Sequence, residues 1–302
     1  MKPERKPTLA EASELWLAQL LRHLPVAWTS AIGGYFGALQ GRKAIAAERK
    51  WVKRLHGNIE RFSEVADTAE RERRIIEYAR RIGRMYAEFT VLQRIPEEGR
   101  LEVVGAEHLR DLSRPVILAS AHLSNWELVF HAFRQLEGVT CVLYDPPKNP
   151  VRHRLAVKAR SGWHPEPELV PASSRAMRQL TKAIEQGRNL LMYVDEEKDG
   201  YIWAPALGRR LPYAGNRWLT ARLAVRYNAD ILPIHIEAAG NARYRMIVQP
   251  KLIAGEGDAE TRARSLADQM EHHLDAWIRA RPEEWYWLNL LDLAKRLPGT
   301  LP

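Results

Sequence analysis

Pro115-Val-Ile-Leu-Ala-Ser-Ala-His-Leu-Ser-Asn-Trp-Glu127 is the stretch on which the fold turns. Val116–Ala121 is an apolar run that follows a proline, the pattern of a strand buried on both faces. Ser124-Asn-Trp-Glu127 has the form of a capping box, with Ser124 as N-cap and Glu127 three residues on, so a helix is expected over Ser124–Glu137. His122 then stands on the tip of a strand-to-helix loop. In open α/β sheets, such loops at the carboxyl ends of strands form the ligand crevice.

Histidine is the side chain best suited to take a proton near neutral pH, and a carboxylate partner fixes its tautomer. Glu127, five positions on, is the carboxylate the spacing offers. The spacing alone says little, because 10 His and 37 acidic residues supply about one such match by chance. A plainer reading also fits these residues: Glu127 caps the helix and His122 is an exposed loop residue.

Working outward, the chain divides into three zones. Residues 1–40 hold an apolar segment, residues 41–100 a charge-dense helical region packed on the core, and residues 101–302 an α/β core forming one domain with 41–100. In the first zone, Leu15–Leu21 is apolar until Arg22, His23 and Pro25 interrupt it, and Leu24–Leu39 lacks charge but contains Gly33, Gly34 and Gly37. A spanning helix needs about 20 mostly apolar residues. Residues 15–39 are too broken for that and read as a helix pair lying on a membrane interface, with Trp16, Trp28 and Tyr35 at headgroup level and Arg42 and Lys43 on the cytoplasmic side. The alternative is an amphipathic core helix. No secretory signal is read at the start. In the second zone Ile75, Ile76, Tyr78, Met85, Tyr86 and Phe89 form an apolar stripe beside Arg80, Arg81 and Arg84.

In the third zone strands and helices alternate. Strands are expected at Val139–Tyr144, Asn189–Val194, Ile231–Glu237 and Tyr244–Gln249. Helices are expected around Arg152–Arg160, Ser173–Gln186 with Gly187 as stop, Gly215–Tyr227 and Asp258–Ala280, with another beginning at Pro282. The fold class that follows is α/β: a mostly parallel mixed sheet flanked by helices, with an N-terminal helical membrane-associating segment. Polar residues collect at the strand ends: His122 and Glu127 after one, Asp145 and Asn149 after the next, and Asp195-Glu-Glu-Lys-Asp199 after a third. In a parallel sheet these loops share one edge.

Composition narrows the partners. The chain has 302 residues, 46% of them apolar, a net charge of +9 and a pI near 9.7. That balance suits nucleic acid, membrane phospholipid, an acidic carrier protein, or simply a basic enzyme. Cys141 is the lone cysteine, which excludes an internal disulfide and a Cys-rich zinc site. P-loop and dinucleotide Gly-x-Gly-x-x-Gly patterns are absent.

The chain resembles the late acyltransferases of lipid A biosynthesis, within the lysophospholipid acyltransferase group. Ala121-His-Leu-Ser-Asn-Trp-Glu127 is similar to that family's His-x4-Asp/Glu block. Arg160-Ser-Gly162 resembles its basic residue before glycine, and Ala183–Gly187 leading into Leu190–Asp195 its segment before an Asp-Gln-Asp motif. Leu219–Ile234 resembles its next helix and strand, and Pro282-Glu-Glu-Trp-Tyr-Trp287 its C-terminal Pro-x-x-Trp-x-Trp. Departures fall in the loops: Asp195-Glu196-Glu197 replaces Asp-Gln-Asp, Ala206-Leu-Gly208 a double-Phe-Gly segment, and Asp145-Pro146 an Arg-Pro pair.

The resemblance implies an O-acyltransferase. A fatty acyl group would move from a thioester of acyl carrier protein or coenzyme A to a hydroxyl of a membrane glycolipid, similar to a lipid A precursor. The place implied is the cytoplasmic face of the inner membrane, on an anionic surface, peripheral or monotopic. No bound cofactor, metal or nucleic-acid partner is implied. His122 would remove the hydroxyl proton, with Glu127 supporting the imidazolium. Arg160 or helix-start N–H groups would stabilise the oxyanion. Asn125, Asn149, Arg160, Asp195, Glu196 and Glu197 are the substrate-binding candidates. Two rivals stand beside this reading: a serine hydrolase using Ser120 or Ser124, although Gly-x-Ser-x-Gly is absent, and a non-catalytic lipid-binding scaffold. His235 reads as a satisfied core or sheet-face residue, His272-His273 as surface, and Trp285 and Trp287 as packing.

Overall fold

A computed structural model describes residues 8–63, 67–147, 149–293, 295 and 297. The outermost residues of the first and third zones, and Lys148 in the Pro-rich turn, lie outside the described residues. In chain order the elements are α1 (Leu9–Leu21), α2 (Val26–Ala46), α3 (Lys50–Ser63), α4 (Thr68–Glu88), α5 (Arg94–Glu97), β1 (Leu101–Val104), β2 (Val116–Ser120), β3 (Thr140–Tyr144), α6 (Pro150–Ser161), β4 (Glu168–Pro171), α7 (Ala176–Glu185), β5 (Asn189–Tyr193), β6 (Glu197–Lys198), β7 (Tyr201–Ile202), α8 (Gly215–Tyr227), β8 (Asp230–Gly240), β9 (Arg243–Val248) and α9 (Ala259–Ala280). Short 3-10 helices follow β2 (Trp126–Gln135) and close the chain (Pro282–Glu284, Tyr286–Asn289).

Seven strands form one sheet in the order β1-β9-β8-β2-β5-β3-β4, and every neighbouring pair is parallel except β8–β9. All five β2 residues are buried, as an apolar run covered on both faces requires. Ile117 and Ala119 face a core shared with α7, α8 and α9. Val116 and Leu118 face the opposite core, with Leu128, Phe130 and Phe133 of the 3-10 segment. Asn189 ties the strand starts together: its Oδ1 accepts from Val116 N–H at 2.9 Å, and its Nδ2 donates to Glu137 O at 2.8 Å.

Helix ends follow their capping residues. Asp258 accepts from Thr261 N–H at 2.8 Å and starts α9, and Asp67 accepts from Glu70 N–H at 3.0 Å and starts α4. Gly187, at φ +74°, stops α7, and Asn228, at φ +51°, stops α8. β1 and β4 were not expected as strands. Both are four-residue edge strands, and β4 sits among Pro165, Pro167 and Pro171, residues that sequence reading takes as breakers but that an edge tolerates.

The N-terminal segment is a helix pair as expected, α1 and α2, but the glycines do not interrupt it. α2 runs unbroken through Gly33, Gly34, Gly37 and Gly41, and also through the zone boundary at residue 40. A Cβ at Gly33 would lie 2.4 Å from Gly83 O, and one at Gly37 2.2 Å from Ala79 O. These glycines are therefore where α2 and α4 touch backbone to backbone. Elsewhere on the pair large apolar side chains stand in the open: Trp16, Leu17, Trp28, Tyr35 and Phe36 are all more than half exposed. Among the described residues no helix is long and apolar enough to cross a membrane.

Candidate active site

Strand register builds the site. In the parallel β2–β5 pair, Ser120 stands opposite Tyr193, and Val194 N–H donates to Ser120 O at 2.9 Å. Two residues further along both strands, His122 and Asp195 are neighbours. His122 Nδ1 lies 2.8 Å from Asp195 Oδ1, and His122 backbone N–H donates to Asp195 Oδ2 at 2.8 Å. The carboxylate is fully buried. A carboxylate this close accepts a hydrogen bond from Nδ1–H and leaves Nε2 with its lone pair. His122 keeps 20% of its side-chain surface exposed, so the ring is not sealed off.

The far end of the chain completes the arrangement. Glu284–Trp287 pairs with the His122 loop: Leu123 and Trp285 form an antiparallel bridge, Ser124 N–H donates to Glu284 O at 2.8 Å, and Tyr286 N–H donates to His122 O at 2.9 Å. Trp285 Nε1–H donates to Asp195 Oδ2 at 2.9 Å, while Trp287 Nε1 is 3.2 Å from His122 Nδ1. Nδ1 cannot give a proton to Asp195 and accept one from Trp287 in the same tautomer, and the shorter, charged contact wins. Trp126, Tyr193 and Trp287 surround the ring at centroid distances of 5.0, 4.5 and 5.2 Å. Sequence reading gave the two tryptophans packing roles only. The missed signal is general: a buried indole N–H needs an acceptor.

Glu127 does not pair with His122 as expected. Its carboxylate is buried and forked by Arg160, with Nε–Oε2 at 2.9 Å and Nη2–Oε1 at 2.5 Å. Nor does it cap a helix. Ser124 adopts φ +53° instead of an N-cap conformation, the segment winds as a 3-10 helix from Trp126, and Asn125 at its start makes no side-chain cap. This winding turns Glu127 toward the end of α6, where Arg160 lies with its guanidinium 5.4 Å from the centre of the Tyr144 ring. Burial works against the Arg160 charge, but the Glu127 carboxylate more than offsets it and holds the guanidinium pKa above its usual value. Arg160 Nη1 is buried and without a protein partner.

The other candidates scatter. Asn125 is buried, and its Nδ2 donates to Glu88 Oε2 at 2.9 Å, away from the ring. Burial pushes the Glu88 carboxyl up, against hydrogen bonds from Ser30, Tyr244 and Asn125 that pull it down. Glu196 accepts from Asn216 N–H at 2.8 Å and so caps α8 from outside the helix; burial raises its carboxyl also. Glu197 accepts from Gly200 N–H at 2.7 Å in the β6–β7 turn. Asn149 sits at the entry to α6, where its carbonyl accepts from His153 N–H at 2.9 Å, and Asp145 is exposed in the preceding loop. Ser120 Oγ is buried without a partner, which gives the hydrolase rival no activated hydroxyl there. His235 is half satisfied: Nε2 is 3.4 Å from Glu237 Oε1, Nδ1 has no partner, and burial against Trp277 pushes its pKa down to about 4.

A cleft of about 480 Å³ lies away from His122, between α4 and the end of α9. Its walls carry Glu70, Arg73, Arg74 and Glu283, joined in ion pairs, and suit water better than an acyl chain.

At the sheet edge an imidazole is held by the Asp195 carboxylate, and Glu127 and Arg160 form an ion pair. Residues 12–291 match the model of the bacterial lipid A biosynthesis acyltransferase family, and the chain belongs to that family. It is an acyltransferase. Among solved structures it is similar to the 1-acyl-sn-glycerophosphate (LPA) acyltransferase PlsC from Thermotoga maritima, at 14% identity and a TM-score of 0.38, over 85% of this chain and 99% of that one; a likeness this slight carries no argument. No curated protein matches.

Proposed function

We propose that this protein transfers a fatty acyl group from a thioester to a hydroxyl of a membrane glycolipid resembling a lipid A precursor, directly within a ternary complex and without an acyl-enzyme. The observation that carries the reading is the His122–Asp195 contact, which leaves Nε2 to act as a base on a ring that is partly exposed. Nε2 takes the proton of the acceptor hydroxyl as its oxygen attacks the thioester carbonyl. Asp195 balances the imidazolium that forms. The tetrahedral oxyanion collapses and expels the carrier thiolate, which leaves with the proton from His122. Glu127 acts one step out by aiming Arg160, whose unpartnered Nη1 is the donor proposed for the oxyanion.

The donor is acyl carrier protein or coenzyme A, and both are acidic partners for a chain of net charge +9. Docking is proposed on the cytoplasmic face of the inner membrane through Trp16, Trp28, Tyr35 and Phe36, with the exposed Arg42 and Lys43 toward anionic headgroups. The test is lipid mass spectrometry of cells carrying the wild-type protein or His122→Ala. One lipid gaining a single acyl mass only with the wild type supports the reading. Equal acylation by His122→Ala, with the variant folded and membrane-bound, removes His122 as the base.

A further inference from the structure

We propose that Trp285 is a positioning residue for the catalytic pair: its indole N–H holds the Asp195 carboxylate in the rotation that keeps the proton of neutral His122 on Nδ1. This rests on His122 being the base. Asp195 Oδ1 faces the imidazole, and Oδ2 accepts from two donors, His122 N–H at 2.8 Å and Trp285 Nε1–H at 2.9 Å. One donor lets a carboxylate swing about it, whereas two donors from separate chain segments fix its plane. The carboxylate is fully buried, so water cannot take over from the indole.

Trp285 is itself held on several sides. It is completely buried, its backbone pairs with Leu123, and the turn beyond it is clamped by Asn58 Nδ2, which donates to Leu288 O at 2.8 Å and Leu291 O at 3.0 Å. The segment Trp285–Leu291 thus sets the proton position of a residue near the middle of the chain. The second indole, Trp287, pulls the other way, since its N–H favours a bare Nδ1. Trp285 therefore decides the tautomer by strengthening the Asp195 side of that competition.

Other charged or titratable groups surround the pair. They are the phenols of Tyr193 and Tyr286, Glu196 next to Asp195, the Glu127–Arg160 ion pair, and Glu284 held by Arg81 at 2.8 Å and Arg281 at 3.1 Å. Asp195 accepts from the His122 ring, His122 N–H and the Trp285 indole, so removing the indole donor acts on the carboxylate directly.

The test replaces Trp285 by 3-benzothienylalanine, which exchanges N–H for sulfur at nearly the same shape; Trp285→Phe is a coarser companion that leaves a cavity. The full chain is labelled with [15N]histidine in detergent micelles, and His122 is assigned by its absence in His122→Ala. The wild-type ring is expected as the Nδ1–H tautomer, and the benzothienyl variant as a mixture with Nε2–H. With dodecanoyl thioesters of acyl carrier protein and coenzyme A and a lipid A precursor as acceptor, kcat falls roughly tenfold while KM for the thioester holds. The acidic limb of the rate profile moves to lower pH, because a carboxylate free to turn away from Nδ1 stabilises the protonated ring less.

An unchanged tautomer, or a rate loss with an unmoved limb, assigns Trp285 to packing alone and overturns the proposal. Wild-type turnover by His122→Ala instead sinks the general-base reading, whatever the indole does.

Discussion

The sheet edge and the N-terminal helix pair meet their surroundings in opposite ways. At the edge, charged groups are matched one to one: Asp195 with the His122 ring and two N–H donors, Glu127 with Arg160. In the helix pair, α2 and α4 touch through glycine and alanine backbone on one side, while large aromatics stand bare on the other. Burial explains the difference. A buried carboxylate is costly unless every lone pair has a partner, so polar geometry there is tightly specified. The outward face of α2 specifies only that apolar surface is available.

The comparison breaks most visibly at Asp195. In Asp195→Asn the two donors at Oδ2 keep the amide oxygen there, which turns the NH2 toward His122 Nδ1 and forces the proton onto Nε2. A drop in kcat on the order of 10³ is expected with little change in melting temperature, measured as steady-state acyl transfer beside calorimetry. Full activity in this variant means that the pairing is not catalytic. Glu127→Gln strands the buried Arg160 charge and is expected to destabilise the fold by about 3 kcal/mol, read by denaturant unfolding, and to lower the rate as well. If only the rate falls, Arg160 has found another anion.

Gly33→Val tests the helix pair. Its Cβ would meet Gly83 O, so a loss of about 1–3 kcal/mol and looser vesicle binding are expected, with the chemistry at His122 unchanged per folded molecule.

The smallest effect belongs to His235. Its pKa in the folded chain, about 4, lies below the unfolded value near 6.5, so the unfolded chain binds more protons between those limits. Stability is lost as pH falls from about 6.5 toward 4 and is unaffected above that window. His235→Phe is expected to flatten this limb in melting curves taken across the range. A slope that persists in the variant must come from other groups.

Sequence reading placed the central strands closely because their residues are buried on both faces, and burial writes a continuous apolar run. β2, β5 and α8 fall within a residue or so of expectation, and α9 starts at its Asp258 cap. The edge strands β1 and β4 escaped because half-buried four-residue strands carry little pattern. The helix expected over Ser124–Glu137 became a 3-10 segment, since Ser124 takes a left-handed conformation that no capping pattern announces. The glycines of α2 read as breaks because their use depends on α4, some 50 residues away.

By itself, the sequence determined the alternation of strands and helices, the gathering of His122, Asp145 and Asp195 at strand ends, and the family. Those features are local, written in burial and in short-range spacing. Only the tertiary structure decided which carboxylate serves the imidazole. Glu127 is five residues from His122 and Asp195 is 73, yet parallel register puts the distant one beside the ring and sends the near one to Arg160. The same register let Trp285, from the end of the chain, reach that carboxylate, because hydrogen-bond partners are set by distance in space and not along the backbone.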